Sequence, residues 1–224
     1  MTTPAEDERA HAEPGSPAYV LDLGPLTLRK ASVSAMDNNC YLLTCASTGQ
    51  QLLVDAADDA DRLDALIQEG SGELHEVVTT HQHWDHHRAL AEVVRRHRPR
   101  TAAGAEDADA LPIPPDERLS HGDQVVVGSL RLDVLALRGH TPGSIALALT
   151  DGDGRSHLFT GDSLFPGGPG KTPSESAFTQ LMDDLEARVF EVYGDDTIVH
   201  PGHGDGTTLG AERPHLAQWR ERGW

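Results

Sequence analysis

The chain has 224 residues, enough for one good-sized hydrophobic core, and 38% of them are hydrophobic. Eighteen basic residues against 36 acidic ones give a formal net charge of -18 at pH 7. Because nucleic-acid backbones and anionic membrane surfaces are bound through Lys and Arg, this balance argues against a nucleic-acid or membrane partner. The oligomeric state is left open.

The first 17 residues are rich in Pro, Ala and acidic side chains, and they predict a flexible arm before a single domain over residues 18–224. This start is not typical of a signal peptide, and no apolar run has the length of a membrane-spanning helix. Cys40 and Cys45 lie on one predicted strand with side chains on opposite faces, so we expect no disulfide between them. A reduced, cytoplasmic protein is therefore the prediction.

The first half of the chain predicts a β-meander, then a helix, a strand and a second helix. The strands of the meander are predicted over residues 26–34, 40–46 and 51–56. Aliphatic residues between positions 63 and 67 fall at helical spacing, and Gly70 fits the end of that helix. A short strand over residues 76–80 leads directly into a histidine-rich segment, and helical spacing resumes from His87 to Arg96.

The second half repeats this order of strands followed by a helix. Strands are predicted over residues 123–139, 144–150, 156–162 and 197–204. The sequence Thr172-Pro173-Ser174-Glu175 predicts a capping box with Pro173 at the first helical position. The apolar face of this long helix comprises Phe178, Leu181, Met182, Leu185, Val189 and Val192. A short helix near Trp219 ends the chain, and the whole pattern predicts two sheets packed face to face with helices outside.

The segment THQHWDHH, residues 80–87, carries the ligand types that suit borderline divalent metals such as zinc. His81 and His83 are two positions apart, so in an extended chain they point to the same side. The chain must then turn for Asp85 and His86 to reach a second point nearby. The spacing therefore allows two metal ions rather than one.

Three further candidate ligands each follow a predicted strand in a glycine-rich turn. They are His140 in GHTPGS, Asp162 in TGDS and His203 in PGHG. A single histidine of this kind is more often a surface or capping residue. Three such residues, all at strand ends and together with the histidine cluster, favour a metal site.

In this order and at these separations, the motifs HxHxDH, GHTPGS, GDS and PGHG resemble those of the metallo-β-lactamase superfamily, over about residues 20–210. The resemblance implies an α+β fold, the αββα four-layer sandwich, in a single domain. It also implies two divalent metals, with zinc expected and iron as the alternative. His81, His83 and His140 would hold the first metal, Asp85, His86 and His203 the second, and Asp162 would bridge them.

Within the superfamily, Trp84 and the stretch GDSLFPGGPGK resemble glyoxalase II. This implies a small-molecule substrate, a thioester or another activated ester, that is attacked by a hydroxide held by two metals, with Asp85 also taking part in proton transfer. Asp55 matches an aspartate that orients a ligand histidine, and Lys171 matches a basic residue that contacts the substrate. His87 and Arg88 depart from the small residues usual there. The helical region that helps to bind glutathione is missing after His203, so we do not expect a glutathione thioester as the substrate.

Other functions use the same residues. A persulfide dioxygenase of this fold holds one iron through residues matching His81, His140 and Asp162. A lactonase, a β-lactam hydrolase and a non-catalytic metal-binding protein are further alternatives, and the charge argues against a nuclease. Four histidines lack motif support as ligands and are predicted at the surface or beside the site. They are His87, which is expected at the site mouth, and His121, His157 and His200.

Overall fold

The computed structural model describes residues 11–223, whose strands form two mixed sheets and one short hairpin. The first sheet has seven strands in chain order: β1 (Tyr19–Asp22), β2 (Leu26–Val33), β3 (Asn38–Cys45), β4 (Gln51–Val54), β5 (Leu74–Thr79), β6 (Arg100–Gly104) and β7 (Glu117–Leu119). Six further strands are β8 (Gln124–Val127), β9 (Leu130–Ala136), β10 (Ile145–Thr150), β11 (Ser156–Gly161), β14 (Ile198–Pro201) and β15 (Thr207–Thr208). They form the second sheet in the order β15-β14-β11-β10-β9-β8. The hairpin pairs β12 (Leu164–Phe165) with β13 (Gly168–Pro169).

The helices flank the sheets. They are α1 (Ala60–Glu69), α2 (Leu90–His97), α3 (Glu175–Leu185), α4 (Leu209–Glu212) and α5 (Leu216–Arg222). A π-helical turn, Glu186–Phe190, continues α3. Single 3-10 turns lie at Trp84–His86, Ala108–Ala110 and Arg213–His215. In the described part of the chain, no helix has both the length and the apolar character needed to cross a membrane.

Three hydrophobic clusters define four layers. Alternate residues of a strand face opposite sides, so Leu43 on β3 packs between the two sheets while Leu42 faces outward. Leu42 shares the outer cluster of the first sheet with Leu66 of α1. On the far side, Leu158 of β11 shares a cluster with Leu181 of α3. The predicted α+β sandwich of the αββα type is thereby confirmed.

The sequence misplaced the start of α3. The cap is Ser174, whose hydroxyl accepts a hydrogen bond from the Ala177 N–H at 3.2 Å, and Thr172 instead donates to the Ser174 carbonyl at 3.3 Å. The helix therefore begins at Glu175, two residues later than the capping box predicted. Val192 is also not part of the apolar face, because it follows the π-helical turn and is 64% exposed.

The predicted arm falls largely outside the residues that the structure describes, which begin at residue 11. Within the described part, Ala12 is buried and the His11 ring lies 2.5 Å from the Asp205 carboxylate. Cys40 and Cys45 are both free, and they lie in different hydrophobic clusters on opposite faces of the first sheet. Their predicted orientation is confirmed.

The topology brings the candidate ligands to one edge of the sandwich. β4, β5 and β6 pair in parallel, so the segments that follow them start at the same edge of the first sheet. β11 and β14 also pair in parallel, which places the segments after them side by side in the second sheet. The histidine-rich segment follows β5, while Asp162 and His203 follow β11 and β14.

Candidate metal centre

The structure brings all seven predicted ligands together in two groups. The members of each group offer one nitrogen or oxygen atom apiece, and these atoms lie within 4.8 Å of one another. The first group is His81, His83, His140 and Asp162, and the second is Asp85, His86 and His203. Asp162 also reaches the second group, since its carboxylate oxygens lie 3.4 Å from His86 Nε2 and 3.5 Å from His203 Nε2. The grouping has the arrangement that the sequence predicted, and metal binding by these residues stays a prediction.

Several inward-facing atoms of this cluster form no hydrogen bond within the protein. His81 Nε2, His140 Nε2 and Asp162 Oδ1 are buried without a hydrogen bond. His86 Nε2 and His203 Nε2 face each other at 3.1 Å. A buried polar atom without a partner costs about 1–3 kcal/mol, and divalent cations would satisfy these atoms together. Imidazole and carboxylate are ligands that suit zinc and iron, so the residues fit a two-metal site.

Asp55 supports imidazoles of both groups from behind. Its Oδ2 lies 2.9 Å from His86 Nδ1 and accepts a hydrogen bond from the Thr80 hydroxyl at 2.8 Å, while Oδ1 accepts from the Thr80 N–H. Because the Thr80 hydroxyl donates to Asp55, it accepts from His81 Nδ1, 3.0 Å away. These bonds leave Nε2 of both histidines directed into the cluster. Asp55 also has a left-handed backbone, with φ of 60°, a strained conformation that occurs more often at functional sites.

Two main-chain carbonyls and the side-chain amide of Asn38 orient three other ligands. His140 Nδ1 donates to the Lys171 carbonyl at 2.5 Å, and His203 Nδ1 donates to the Met36 carbonyl at 2.8 Å. The Asn38 amide donates to Asp85 Oδ2 at 3.0 Å. Each contact fixes the rotation of the side chain and the nitrogen or oxygen that it offers to the centre.

The electrostatics of the two groups differ. Burial lowers the pKa of His81 well below its ordinary value, and burial also lowers the pKa of His140. Burial acts in the same direction on His86, but the neighbouring carboxylates of Asp162 and Asp55 outweigh it and raise its pKa to about 10. His203 follows the same pattern, with its pKa raised mainly by Asp162. More carboxylates thus lie beside the imidazoles of the second group, since His86 and His203 are close to Asp85 as well as to Asp162.

Two carboxylates of the cluster are held in their charged form. Burial is the largest effect on the pKa of Asp162 and raises it, but the close imidazoles of His203 and His86 reverse the direction and lower it strongly. For Asp85, burial again raises the pKa, and the hydrogen bond from Asn38 together with the nearby His86 brings it below its ordinary value. The carboxylates of Asp162 and Asp85 are therefore both anionic, which is the form that binds a metal ion.

Gly202 allows the close approach of two ligands. A Cβ atom at this position would lie 2.2 Å from Asp162 Oδ1 and 2.7 Å from the His86 ring. Any larger residue would push one of these side chains away. The glycine of the PGHG motif therefore has a steric reason to precede His203.

Other predicted residues lie around the centre in different ways. Lys171 is exposed, and its main-chain carbonyl, rather than its ammonium group, contacts His140. Trp84 is 58% exposed, and the Arg88 guanidinium lies 3.5 Å above its ring. The half-buried His87 ring lies 3.0 Å from the Gln82 carbonyl.

The prediction that His157 and His200 lie at the surface or beside the site is wrong. Both are buried, with His157 Nδ1 3.0 Å from His200 Nε2, and the His200 ring stacks on Phe159 at a centroid distance of 4.8 Å. Each lies on a strand of the second sheet, which is covered on both faces, by the first sheet and by α3, so that a side chain on either face is buried. His121 is exposed, as expected.

Sequence reasoning missed Asn38, Met36 and Asp107 as parts of this region. Met36 acts through its carbonyl, which no residue pattern reports. Asn38 begins β3 directly beside the site and forms an isolated bridge with His203. Asp107 lies in an acidic segment without a motif, although the preceding strand end at Gly104 was a signal of a functional loop.

A sequence profile described as the metallo-β-lactamase superfamily matches residues 34–203. The hydroxyacylglutathione hydrolase of Ruegeria pomeroyi is 38% identical over 170 residues, which cover 75% of this chain and 62% of that protein. The chain therefore spans about three fifths of the length of this curated relative.

Solved structures are similar over most of the chain. The crystal structure of ETHE1 from Myxococcus xanthus has a TM-score of 0.71 and 31% identity, over 84% of this chain and 82% of that one. A protein solved in a di-iron-bound form has a TM-score of 0.66 and 29% identity, over 82% of this chain and 96% of that one. These matches agree with the fold.

Proposed function

Because the chain belongs to the metallo-β-lactamase superfamily, we propose that it is a two-metal hydrolase of thioesters or other activated esters. The observation that carries the proposal is the pair of ligand groups joined by Asp162, in which three inward atoms are buried without a hydrogen bond. Its relatives named hydroxyacylglutathione hydrolases support the thioester class. Zinc is the metal that we propose first, with iron as the alternative.

The bound metals would lower the pKa of water toward neutrality and supply positive charge opposite a developing oxyanion. The chain's own part is to hold the ligands in place. Asp55 fixes His86 directly and His81 through Thr80, while the Lys171 and Met36 carbonyls fix His140 and His203. Each imidazole then offers Nε2 without a change of rotamer or tautomer.

We propose two further roles beside ligation. Asp85 is held anionic, with its Oδ2 bonded to Asn38, and it can accept a proton during the reaction as well as bind metal. Lys171 would contact the substrate's thiol-carrier portion, because its exposed side chain belongs to the same residue whose carbonyl touches His140.

The first experiment measures metal content together with hydrolysis of a panel of thioesters, lactones and β-lactams. We expect close to two metal equivalents and the highest kcat/KM on a thioester. His140→Ala should abolish hydrolysis, because it removes one metal ligand and leaves the Lys171 carbonyl without its hydrogen-bond donor. Less than half a metal equivalent, with hydrolysis intact in His140→Ala, would contradict the proposal.

A mono-iron persulfide dioxygenase is the second candidate. It is favoured by one observation: the three buried atoms without a partner that point into the site belong to His81, His140 and Asp162. Elemental analysis combined with oxygen uptake on a persulfide separates the two functions. One iron per chain and persulfide-dependent oxygen uptake would support the dioxygenase, whereas two metals and thioester cleavage would support the hydrolase.

A further inference from the structure

Asp107 is a fully buried carboxylate in the loop after β6. Its Oδ2 accepts hydrogen bonds from the Gln82 N–H at 2.9 Å and the Thr141 hydroxyl at 2.5 Å. Its Oδ1 accepts from the Gly143 N–H at 2.7 Å. Three donors from two separate loops therefore meet at one side chain.

The partners of Asp107 are next to ligands of the first group only. Gln82 lies between His81 and His83, and Thr141 directly follows His140. These two loops come from different sheets, the first after β5 and the second between β9 and β10. One carboxylate thus sets the separation of the loops that carry all three histidines of the first group.

The backbone around Asp107 leaves no room for another side chain. A Cβ atom on Gly143 would lie 2.3 Å from the Asp107 nitrogen, and one on Gly104 would lie 1.9 Å from the Gly143 carbonyl oxygen. The loop after β6 and the loop between β9 and β10 therefore approach each other backbone to backbone, and the Asp107 carboxylate is fixed against the second of these loops. An amide at this position has one acceptor oxygen in place of two, so the donors on one side of the Asp107 carboxylate would lose their acceptor.

We propose that Asp107 is a positioning residue that sets the affinity of the first metal site and leaves the second site unaffected. The second group is supported elsewhere, by Asp55, Asn38 and the Met36 carbonyl. This inference rests on the two-metal centre of the proposed function and does not depend on the substrate. A purely structural role for Asp107 would weaken both sites together, so the difference between the sites is the decisive measurement.

The test is a Co²⁺ titration of metal-free Asp107→Asn, followed by absorption spectroscopy. His83→Ala and His203→Ala provide reference spectra for proteins that lack a ligand of the first or of the second site. We expect the first-site dissociation constant to rise about 10–100-fold, the usual effect of losing a residue that orients a ligand. The spectrum at one equivalent should match that of His83→Ala. Unchanged affinities, equal loss at both sites, or a match to His203→Ala would overturn the proposal.

Asp151→Asn is the matched control. Asp151 also accepts two backbone N–H bonds in a loop, from Asp153 and Arg155, but its loop joins the ends of β10 and β11 that lie away from the centre. It should bind both Co²⁺ ions as the wild type does. A selective loss of the first site in this control as well would overturn the proposal.

Thr141→Val is the second variant, used if Asp107→Asn does not fold. It removes one of the three donors, and we expect a smaller rise in the same first-site constant; an unchanged constant would overturn the proposal. A wild type that binds two Co²⁺ ions but cleaves no thioester would remove the proposed substrate class and leave this inference standing. A wild type that binds only one Co²⁺ ion would overturn both.

Discussion

Two sets of histidines are buried in this protein, and they differ in what their ring nitrogens contact. In the candidate metal centre, His81 Nε2 and His140 Nε2 have no hydrogen-bond partner. In the second sheet, His157 Nδ1 lies 3.0 Å from His200 Nε2, and His157 Nε2 lies 3.2 Å from the Asp151 carboxylate. Burial lowers the pKa of His157 and His200, as it does for His81 and His140.

A lowered pKa therefore does not distinguish a candidate ligand from a core histidine in this fold. The partner does. A core imidazole that is paired within the protein contributes a hydrogen bond and packing area, and nothing remains for a ligand to satisfy. An imidazole that keeps Nδ1 bonded and Nε2 unpaired retains one lone pair for a cation, at a cost in stability until the cation binds.

The largest effect is expected from removing a histidine of the candidate metal centre whose Nε2 has no hydrogen-bond partner. His81→Ala should lower hydrolysis of the best thioester by roughly 10³-fold, since charge opposite the transition state is lost with the metal. Metal analysis on the same sample should show less than the wild-type content. His121→Ala, a change at an exposed histidine, should keep both values. Full metal content in His81→Ala would contradict the distinction.

A smaller effect should come from replacing Asp55, which orients His86 directly and His81 through Thr80. Asp55→Asn replaces the acceptor of His86 Nδ1 and of the Thr80 hydroxyl, so both imidazoles lose their fixed orientation. We expect metal affinity to fall about 10–100-fold, measured by competition with a chelator. Asp58→Asn is the control, because Asp58 pairs with Arg88. Equal losses in the two variants would show that Asp55 has no special role.

Removing one histidine of the His157–His200 pair should lower the stability of the fold and leave the metal content unchanged. His200→Leu leaves His157 Nδ1 without its partner, and we expect the free energy of unfolding to fall by about 1–3 kcal/mol. Urea denaturation measures this change, and metal analysis of the same protein should match the wild type. Loss of metal in a folded His200→Leu protein would show that the two sets are coupled.

The smallest effect is a difference in pH dependence. The folded pKa values of His157 and His200 are lowered, so both histidines are neutral when folded and take up protons on unfolding below about pH 6.5. Their contribution is thus fully present above that pH and is lost as the pH falls toward the folded pKa values, by at most about 1.4 kcal/mol per pH unit for each group.

The charged and titratable groups that face this pair are Asp151, Arg155, Lys30 and Tyr41. Urea denaturation of metal-bound wild type and His200→Leu between pH 7 and 5 compares the slopes. The variant has one such histidine fewer, so its stability should fall less steeply with acidification. Identical slopes would mean that His200 does not take up a proton on unfolding.

Much of the fold and of the candidate ligand set could be predicted from the sequence. A ligand-type residue at a strand end indicates both its chemistry and its place in the fold. His140, Asp162 and His203 could therefore be predicted as candidate ligands from the sequence. Contacts through the backbone, such as the Met36 carbonyl, depend on tertiary structure and leave no sequence pattern. Asp107 was missed for the same reason, since its partners are two main-chain N–H groups and one hydroxyl from distant loops.

Each ligand group draws on both sheets. The histidine-rich segment after β5 belongs to the first sheet, whereas His140, Asp162 and His203 follow strands of the second. Every bound ion would therefore act as a cross-link between the two layers. Each site could form only after the two sheets have docked. During synthesis the proposed second site would stay incomplete until His203 has left the ribosome. Metal uptake should accordingly be a late folding event, and its rate would report the docking of the two sheets.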